Sequence, residues 1–187
     1  MARICKPTGE NTEWLTRLTR FWSGNEACVE AAILDGKNVL QTHAYGAEAR
    51  GSLAKSEVII SDGKIRFPAV RKPDVLVVMS QEALDKLLKG LKEKGILIVD
   101  STNVTTTAET SAEVHNKPIT ETAKKQFREA IYANRIMLGS FTKITGLVTV
   151  QSMEKTIEEN VSPRTVENNV AAFRKGLQLG ATLKDQS

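Results

Sequence analysis

Residues 74–100 read DVLVVMSQEALDKLLKGLKEKGILIVD, and this stretch decides the fold. Asp74 to Met79 is a short continuous apolar run, the pattern of a strand buried on both faces. Ser80 stands at a helix N-cap position, with Glu82 in the first turn near the positive end of the helix dipole. Leu84, Leu87, Leu88 and Leu91 then share one face at helical spacing, and Gly95 is expected to end the helix. Ile96 to Val99 reads as a second buried strand terminating at Asp100. Strand, helix and strand in so short a span predict a right-handed crossover, and so a sheet that is at least partly parallel.

Working outward, Lys55 to Ser61 alternates and reads as a strand. Asp62-Gly63 is a hairpin-turn dipeptide, so Lys64 to Phe67 is expected to return as its partner. Ala27 to Gly36 reads as a helix closed by glycine. Beyond the Thr-rich stretch Ser101 to Ala112, one helical period runs through Ala123, Phe127, Ala130, Ile131, Asn134, Met137, Leu138 and Phe141. Gly139 and Gly146 signal close packing or a break there. A shorter helix is expected from a cap at Ser152 to Asn160. Ser162-Pro163 reads as the start of a last helix, with Val166, Val170, Phe173 and Leu177 on its face and Gly176 and Gly180 loosening its end. Residues 181–187 read as a frayed tail. With no repeat and no linker, residues 1–187 are expected to form a single α/β domain. Its architecture would be a three-layer sandwich with a largely parallel central sheet, one β-hairpin, and helices on both faces.

Several function classes are disfavoured. The net charge of +4 is mild and the basic residues are interleaved with acidic ones. The densest stretch, Lys86 to Lys94, contains Glu93 on a predicted helix and reads as a solvated face, so nucleic acid is not the expected partner. No apolar run approaches the ~18 residues of a membrane span, and the N-terminus lacks a signal-type apolar region. A cytoplasmic protein without membrane contact is expected. Cys5 and Cys28, with no CxxC, exclude a disulfide framework and self-contained iron–sulfur ligation.

The chemistry-bearing candidate is residues 41–52, QTHAYGAEARGS. Within it, Tyr45 and Gly46 precede Glu48, Arg50 and Gly51. Two glycines let the backbone turn while a carboxylate and a guanidinium are presented together, the make-up of a docking loop. This loop closely resembles the signature loop of gamma subunits of 2-oxoacid:ferredoxin oxidoreductases, above all the 2-oxoglutarate type. The likeness extends in order through Ser56 to Asp62, Ile65, Phe67-Pro68, Pro73-Asp74, Ser80 to Leu84 and Leu97 to Ser101. It continues through Ala133 to Gly146 and then Asn169, Ala172, Phe173 and Gly176.

The resemblance implies one part of a larger enzyme. The complex would oxidatively decarboxylate a 2-oxoacid, in first place 2-oxoglutarate, with coenzyme A, giving acyl-CoA, carbon dioxide and electrons for ferredoxin. Thiamine diphosphate, Mg2+ and iron–sulfur clusters are expected at the level of that complex, and none on this chain alone. The implied partners are alpha and beta subunits, a possible ferredoxin-like delta subunit, and ferredoxin as acceptor. No catalytic or metal-ligating residue is assigned. Tyr45, Gly46, Glu48, Arg50 and Gly51 are assigned to cofactor binding or a subunit interface, and the isolated chain is expected to be inactive. The alternatives are a pyruvate- or ketoisovalerate-type gamma subunit, or a non-catalytic nucleotide-binding or scaffold domain.

One segment departs from the family. Gamma subunits open with a strand running into a Gly-rich loop of the type G-x-G-G-Q-G and then a helix. Here Ala2 to Ile4 resembles the start of such a strand, but residues 5–26 carry glycine only at Gly9 and Gly24, and two tryptophans, Trp14 and Trp22. Residues 1–26 are therefore atypical. They read either as a compensated shift of reading frame over residues 5–26 or as a divergent N-terminus forming an amphipathic helix through Trp14, Leu15, Leu18 and Phe21. Other residues have plain readings. His43 is expected to be a loop or packing residue rather than an acid/base group, and His115 to be exposed in a polar loop. Cys28 is read as a small buried hydrophobe. Asp100-Ser101 sits where parallel sheets place ligands, yet fits an ordinary cap and loop start. Glu48 and Arg50 either meet a cofactor or partner subunit, or pair with each other or cap the loop internally. Ser52 replaces a glycine more frequent in the family.

Overall fold

Val75–Val78 and Ile96–Asp100 are parallel neighbours, and the residues between them form the helix Gln81–Leu87. The crossover expected from residues 74–100 is therefore present in the computed structural model, which describes residues 13–19, 22–44, 55–66, 69–106 and 109–181. In chain order the elements are β1 (Glu13–Thr19), α1 (Trp22–Leu34), β2 (Asn38–Ala44), β3 (Lys55–Ser61), β4 (Val75–Val78) and α2 (Gln81–Leu87). Then come β5 (Ile96–Asp100), β6 (Glu113–Lys117), α3 (Ile119–Phe127), α4 (Ala133–Thr145), α5 (Val150–Asn160) and α6 (Val166–Ala181). Short 3-10 turns, Leu88–Gly90 and Ala130–Tyr132, follow α2 and precede α4.

Among the described residues the strands form one six-stranded sheet in the order β2-β3-β1-β4-β5-β6. β1, β4, β5 and β6 are mutually parallel, and β3 runs against both β1 and β2. Two apolar clusters cover the two faces. Val58, Ile60, Val75, Val77, Ile96 and Ile98 pack toward α1, α3, α4, α5 and α6. Leu76, Val78, Leu97 and Val99 pack toward Ala83, Leu84 and Leu87 of α2. Each full burial of such a side chain contributes about 1.5–3 kcal/mol relative to exposure, so this double-sided burial anchors the central strands. The three-layer α/β arrangement with helices on both faces stands.

Several expectations need correction. The hairpin is β2–β3, in continuous register from Asn38↔Ser61 to Ala44↔Lys55, and residues 64–66 form no strand. Asp62-Gly63 instead bends the chain away, with the Gly63 N–H donating to Ser61 Oγ at 3.1 Å. β6 was not anticipated; its inward positions are polar, so it shows no apolar alternation. The helical period from Ala123 to Phe141 is two helices, because Arg128 takes a left-handed conformation at φ 59° and leaves Ile131 outside the core, 70% exposed. α2 ends at Leu87 with a 3-10 turn, well before Gly95. The cap of α5 is Thr149, whose Oγ1 accepts from the Ser152 N–H, so Ser152 lies inside the first turn. Ser162 to Thr165 forms a turn, with the Thr165 N–H donating to Ser162 O, and α6 begins after it. Residues 13–19 are a strand, which removes the amphipathic-helix reading through Trp14, Leu15 and Leu18. Residues 2–4 and 182–187 lie outside the described residues.

Candidate functional site

The strand directions bring the ends of β2 and β5 to one edge of the sheet. β2 runs parallel in sense to β1, because each is antiparallel to β3. The C-terminal ends of β1, β2, β4, β5 and β6 and the start of β3 therefore face the same way. Parallel α/β sheets present ligand-binding loops at this edge. Residue 44, after which the expected loop begins in the sequence, lies at it, held by the pairs Ala44↔Lys55 and His43↔Ser56 and by Gln41 Nε2 donating to Ser56 Oγ at 3.3 Å. Tyr45, Gly46, Glu48, Arg50, Gly51 and Ser52 lie outside the described residues. His43 belongs to strand β2 and not to that loop.

At the β5 end of the same edge, Asp100 is fully buried and its carboxylate organises two segments. Oδ1 accepts from the N–H groups of Thr102 (3.1 Å), Ile119 (3.1 Å) and Thr120 (3.2 Å). Oδ2 accepts from Asn103 Nδ2 at 2.9 Å and Thr120 Oγ1 at 2.5 Å. A carboxylate at the N-terminus of α3 satisfies amides that the helix itself leaves without partners and meets its dipole favourably. Ser101-to-Thr106 is then strapped to α2. Gln81 Oε1 accepts from the N–H groups of Thr105 (3.1 Å) and Thr106 (3.2 Å), and Gln81 Nε2 donates to Thr106 O at 2.8 Å. The cap-and-loop reading of Asp100 is borne out, though the helix it caps is α3, nineteen residues on. With both oxygens engaged and no exposure, Asp100 is suited to fixing a loop rather than to acid/base chemistry.

Two distant sequence blocks, 133–146 and 169–176, meet along α4 and α6. Arg135 Nε donates to Asn169 Oδ1 at 3.0 Å, and Ser140 Oγ donates to Gly176 O at 3.0 Å. Burial lowers the pKa of Arg135 from its ordinary value. A Cβ on Gly139 would stand 2.1 Å from Phe173 O, and one on Gly176 would stand 2.0 Å from Ile136 O. Gly176 and Gly180 thus tighten the end of α6 instead of loosening it. An open groove of about 650 Å³ lies in this helical layer, lined by Phe127, Val166, Val170 and Arg174 among others.

These two blocks fall inside a single family match. Residues 23–179 fit the model of the pyruvate ferredoxin/flavodoxin oxidoreductase family. The chain belongs to that family. Subunit KorC of 2-oxoglutarate synthase from Methanocaldococcus jannaschii is 43% identical over 155 residues, covering 82% of this chain and 83% of that one. Subunit PorC of pyruvate synthase from Methanothermobacter marburgensis is 32% identical over 152 residues, covering 80% and 84%. The crystal structure of a keto/oxoacid ferredoxin oxidoreductase gamma subunit from Geobacter sulfurreducens superposes with a TM-score of 0.78 at 36% identity, over 90% of this chain and 97% of that one. As in the members just named, the family match here is to a subunit of an oxoacid oxidoreductase.

Set within this pyruvate ferredoxin/flavodoxin oxidoreductase domain, the remaining titratable candidates have structural surroundings. His115 is buried in β6, not exposed in a loop, with Nε2 3.2 Å from Glu113 Oε1. Sequence reasoning missed it because the buried positions of this edge strand are the polar residues His115 and Lys117. Cys28 is buried on α1 as expected, and burial pushes its thiol up to about 12, so it is inert as a nucleophile. Among the described residues no three His, Cys, Asp or Glu side chains gather as a metal site. No described helix is long and apolar enough to cross a membrane.

Proposed function

We propose that the chain is the gamma subunit of a 2-oxoglutarate:ferredoxin oxidoreductase. It would contribute to CoA-dependent oxidative decarboxylation without supplying the reacting atoms. The observation that carries this reading is its near-complete correspondence, at 36% identity, with a gamma subunit that is itself a separate chain. The preference for 2-oxoglutarate over pyruvate rests on the greater similarity to the KorC subunit than to the PorC subunit quoted above. In this reading Tyr45, Gly46, Glu48, Arg50 and Gly51 form an assembly surface that helps close a cofactor site belonging to alpha and beta subunits. Thiamine diphosphate, Mg2+ and iron–sulfur clusters reside in that complex, which works in the cytoplasm.

Co-expression with the alpha, beta and delta subunits tests this reading. The four-chain preparation should oxidise 2-oxoglutarate with coenzyme A in preference to pyruvate, and the preparation lacking this chain should not. Equal activity without it would remove the proposal. Glu48→Ala and Arg50→Ala should weaken co-purification while leaving the isolated chain folded.

Residues 5–26 are further proposed to derive from a compensated frame shift. The family match begins only at residue 23. β1 lies inside the sheet between β3 and β4, yet its sequence EWLTRLT mixes Glu, Thr and Arg with apolar residues, unlike VLVV of β4. Interior parallel strands are usually near-continuous apolar runs. Translation of the coding DNA in the other two frames should reveal a glycine-rich run; its absence from both would leave a divergent segment.

A further inference from the structure

The sheet ends at β6, which among the described residues pairs with β5 and no other strand. At the two ends of that ladder the Glu113 N–H donates to Gly95 O at 2.7 Å and the Ser101 N–H donates to Lys117 O at 2.9 Å. Backbone groups alternate in direction along a strand, so Glu113, His115 and Lys117 turn theirs toward β5. The N–H and C=O groups of Val114 and Asn116 therefore point out of the sheet, and both residues are only half-buried. Such an edge is a template for one more strand.

The side chains of β6 indicate which strand fits. Glu113, His115 and Lys117 share one face, in register with Ile96, Ile98 and Asp100. An acid and a cation thus stand symmetrically about His115. A second β6, antiparallel and related by a two-fold axis through His115, sets Glu113 opposite Lys117 of the second copy, and Lys117 opposite its Glu113. The same register pairs Val114 with Asn116 of the second copy, and these are the residues whose backbone groups point outward. Both pairs can then exchange N–H···O bonds. Other centres lose the match: on Asn116 the axis opposes His115 and Lys117, and on Val114 it leaves Lys117 opposite Ser111.

The ladder also ends cleanly. Its next pair would be Ala112 with Pro118, but Pro118 has no N–H, and the Ala112 N–H already donates to Thr110 Oγ1 at 3.2 Å. The other edge strand, β2, reads NVLQTHA and has no charged residue to mark a register. Pairing through β6 uses the same patch on both copies and so stops at two.

We propose that the outer edge of β6 is a self-recognition surface, on which a second copy of this chain adds its own β6 antiparallel and continues the sheet. The pairing is independent of the gamma-subunit reading. A seam of five residues per strand is small, so the dimer is weak and forms with concentration.

Sedimentation equilibrium of the full chain, with amide hydrogen exchange read residue by residue, provides the test. Raising the concentration from about 1 μM to about 1 mM should bring up a dimer and slow exchange at Val114 and Asn116. Asn116→Pro removes an outward N–H without touching the β5 ladder, so the dimer should be lost while the unfolding midpoint stays near wild type. Glu113→Lys sets like charges opposite each other twice and should raise the dissociation constant about tenfold, less so in high salt. A wild-type chain still monomeric at about 1 mM overturns the proposal. So does a dimer that survives Asn116→Pro, or one that leaves exchange at Val114 and Asn116 unchanged, since its seam lies elsewhere. Slowing of those two amides only after other subunits are added also overturns it, by giving the edge to a strand of another chain.

Discussion

The α4–α6 seam and the polar edge at Asp100 both hold chain segments in close register, by opposite means. Along the seam, two backbones touch because Gly139 and Gly176 have no side chains to separate them. At the edge, one side chain accepts five hydrogen bonds and thereby fixes the strap after β5 and the start of α3. The first device tolerates no added atom and the second no removed one. Adding a methyl group should therefore break the seam, and deleting a carboxylate should break the edge.

The largest effect is expected at the seam. Gly139→Ala or Gly176→Ala would place a methyl against backbone carbonyls, which cannot step aside as a side-chain terminus can. Overpacking of this kind is expected to destabilise by ~3 kcal/mol or more, a large share of a domain's stability. Chemical denaturation midpoints would measure it. A loss below that of an exposed substitution would mean that α6 can slide along α4. At the edge, Asp100→Ala strips the Ile119 and Thr120 amides of a buried acceptor and should cost about 2–3 kcal/mol. Asp100→Asn keeps the Oδ1 acceptor but turns a donor toward Asn103 Nδ2, so roughly half that loss is expected.

The two regions also differed in how legible they were. The strand runs of β4 and β5 were plain because four successive apolar residues have no other comfortable environment. The edge strand β6 was hidden, since EVHNK carries His115 and Lys117 at its buried positions and gives no period-2 apolar signal. Asp62-Gly63 misled because a strong turn dipeptide outranked the weaker strand in Asn38 to Ala44, whose true partner lies beyond a long connection. Gly176 and Gly180 were visible as residues, but their meaning depends on a helix more than thirty positions away. Arg128 breaks the helical period with a left-handed conformation that no glycine announces. Of the candidate site, the sequence showed Asp100 at a strand end and the loop by family resemblance. It did not show that β2 and β5 end at the same edge of the sheet.

A smaller polar device links the helices. The Asp35 carboxylate accepts from the Thr149 N–H, from Thr149 Oγ1 at 2.8 Å and from Ser152 Oγ at 2.5 Å, tying the end of α1 to the cap of α5. Burial raises its pKa, but these hydrogen bonds and the Lys37 charge together outweigh that and hold the carboxyl below its ordinary value. A depressed folded-state pKa means stability that is present above the unfolded pKa of 3.8 and lost as pH falls through the folded value. Asp35→Ala should therefore lower stability by ~1–2 kcal/mol at neutral pH, as loss of a helix cap does. The gap between variant and wild type should close in acid below pH 3.8. A gap that persists unchanged there would assign the effect to packing rather than to the charged cap.

Gln81 offers the finest separation of local from global effects. Its side chain holds the Thr105 and Thr106 amides and lies on the surface beside Asp85, to which Nε2 also donates at 2.9 Å. Exposed hydrogen bonds of this kind contribute little net stability, so Gln81→Ala should shift the unfolding midpoint by less than about 1 kcal/mol. The strap itself should nonetheless open, because those two amides lose their acceptor while Asp100 still anchors its near end at Thr102 and Asn103. Hydrogen exchange read residue by residue should then accelerate at Thr105 and Thr106 and stay unchanged at Thr102, Ile119 and Thr120. Acceleration spreading to Ile119 would show that the Asp100 hub and the Gln81 strap open as one unit, and that the edge is cooperative in the way the seam is.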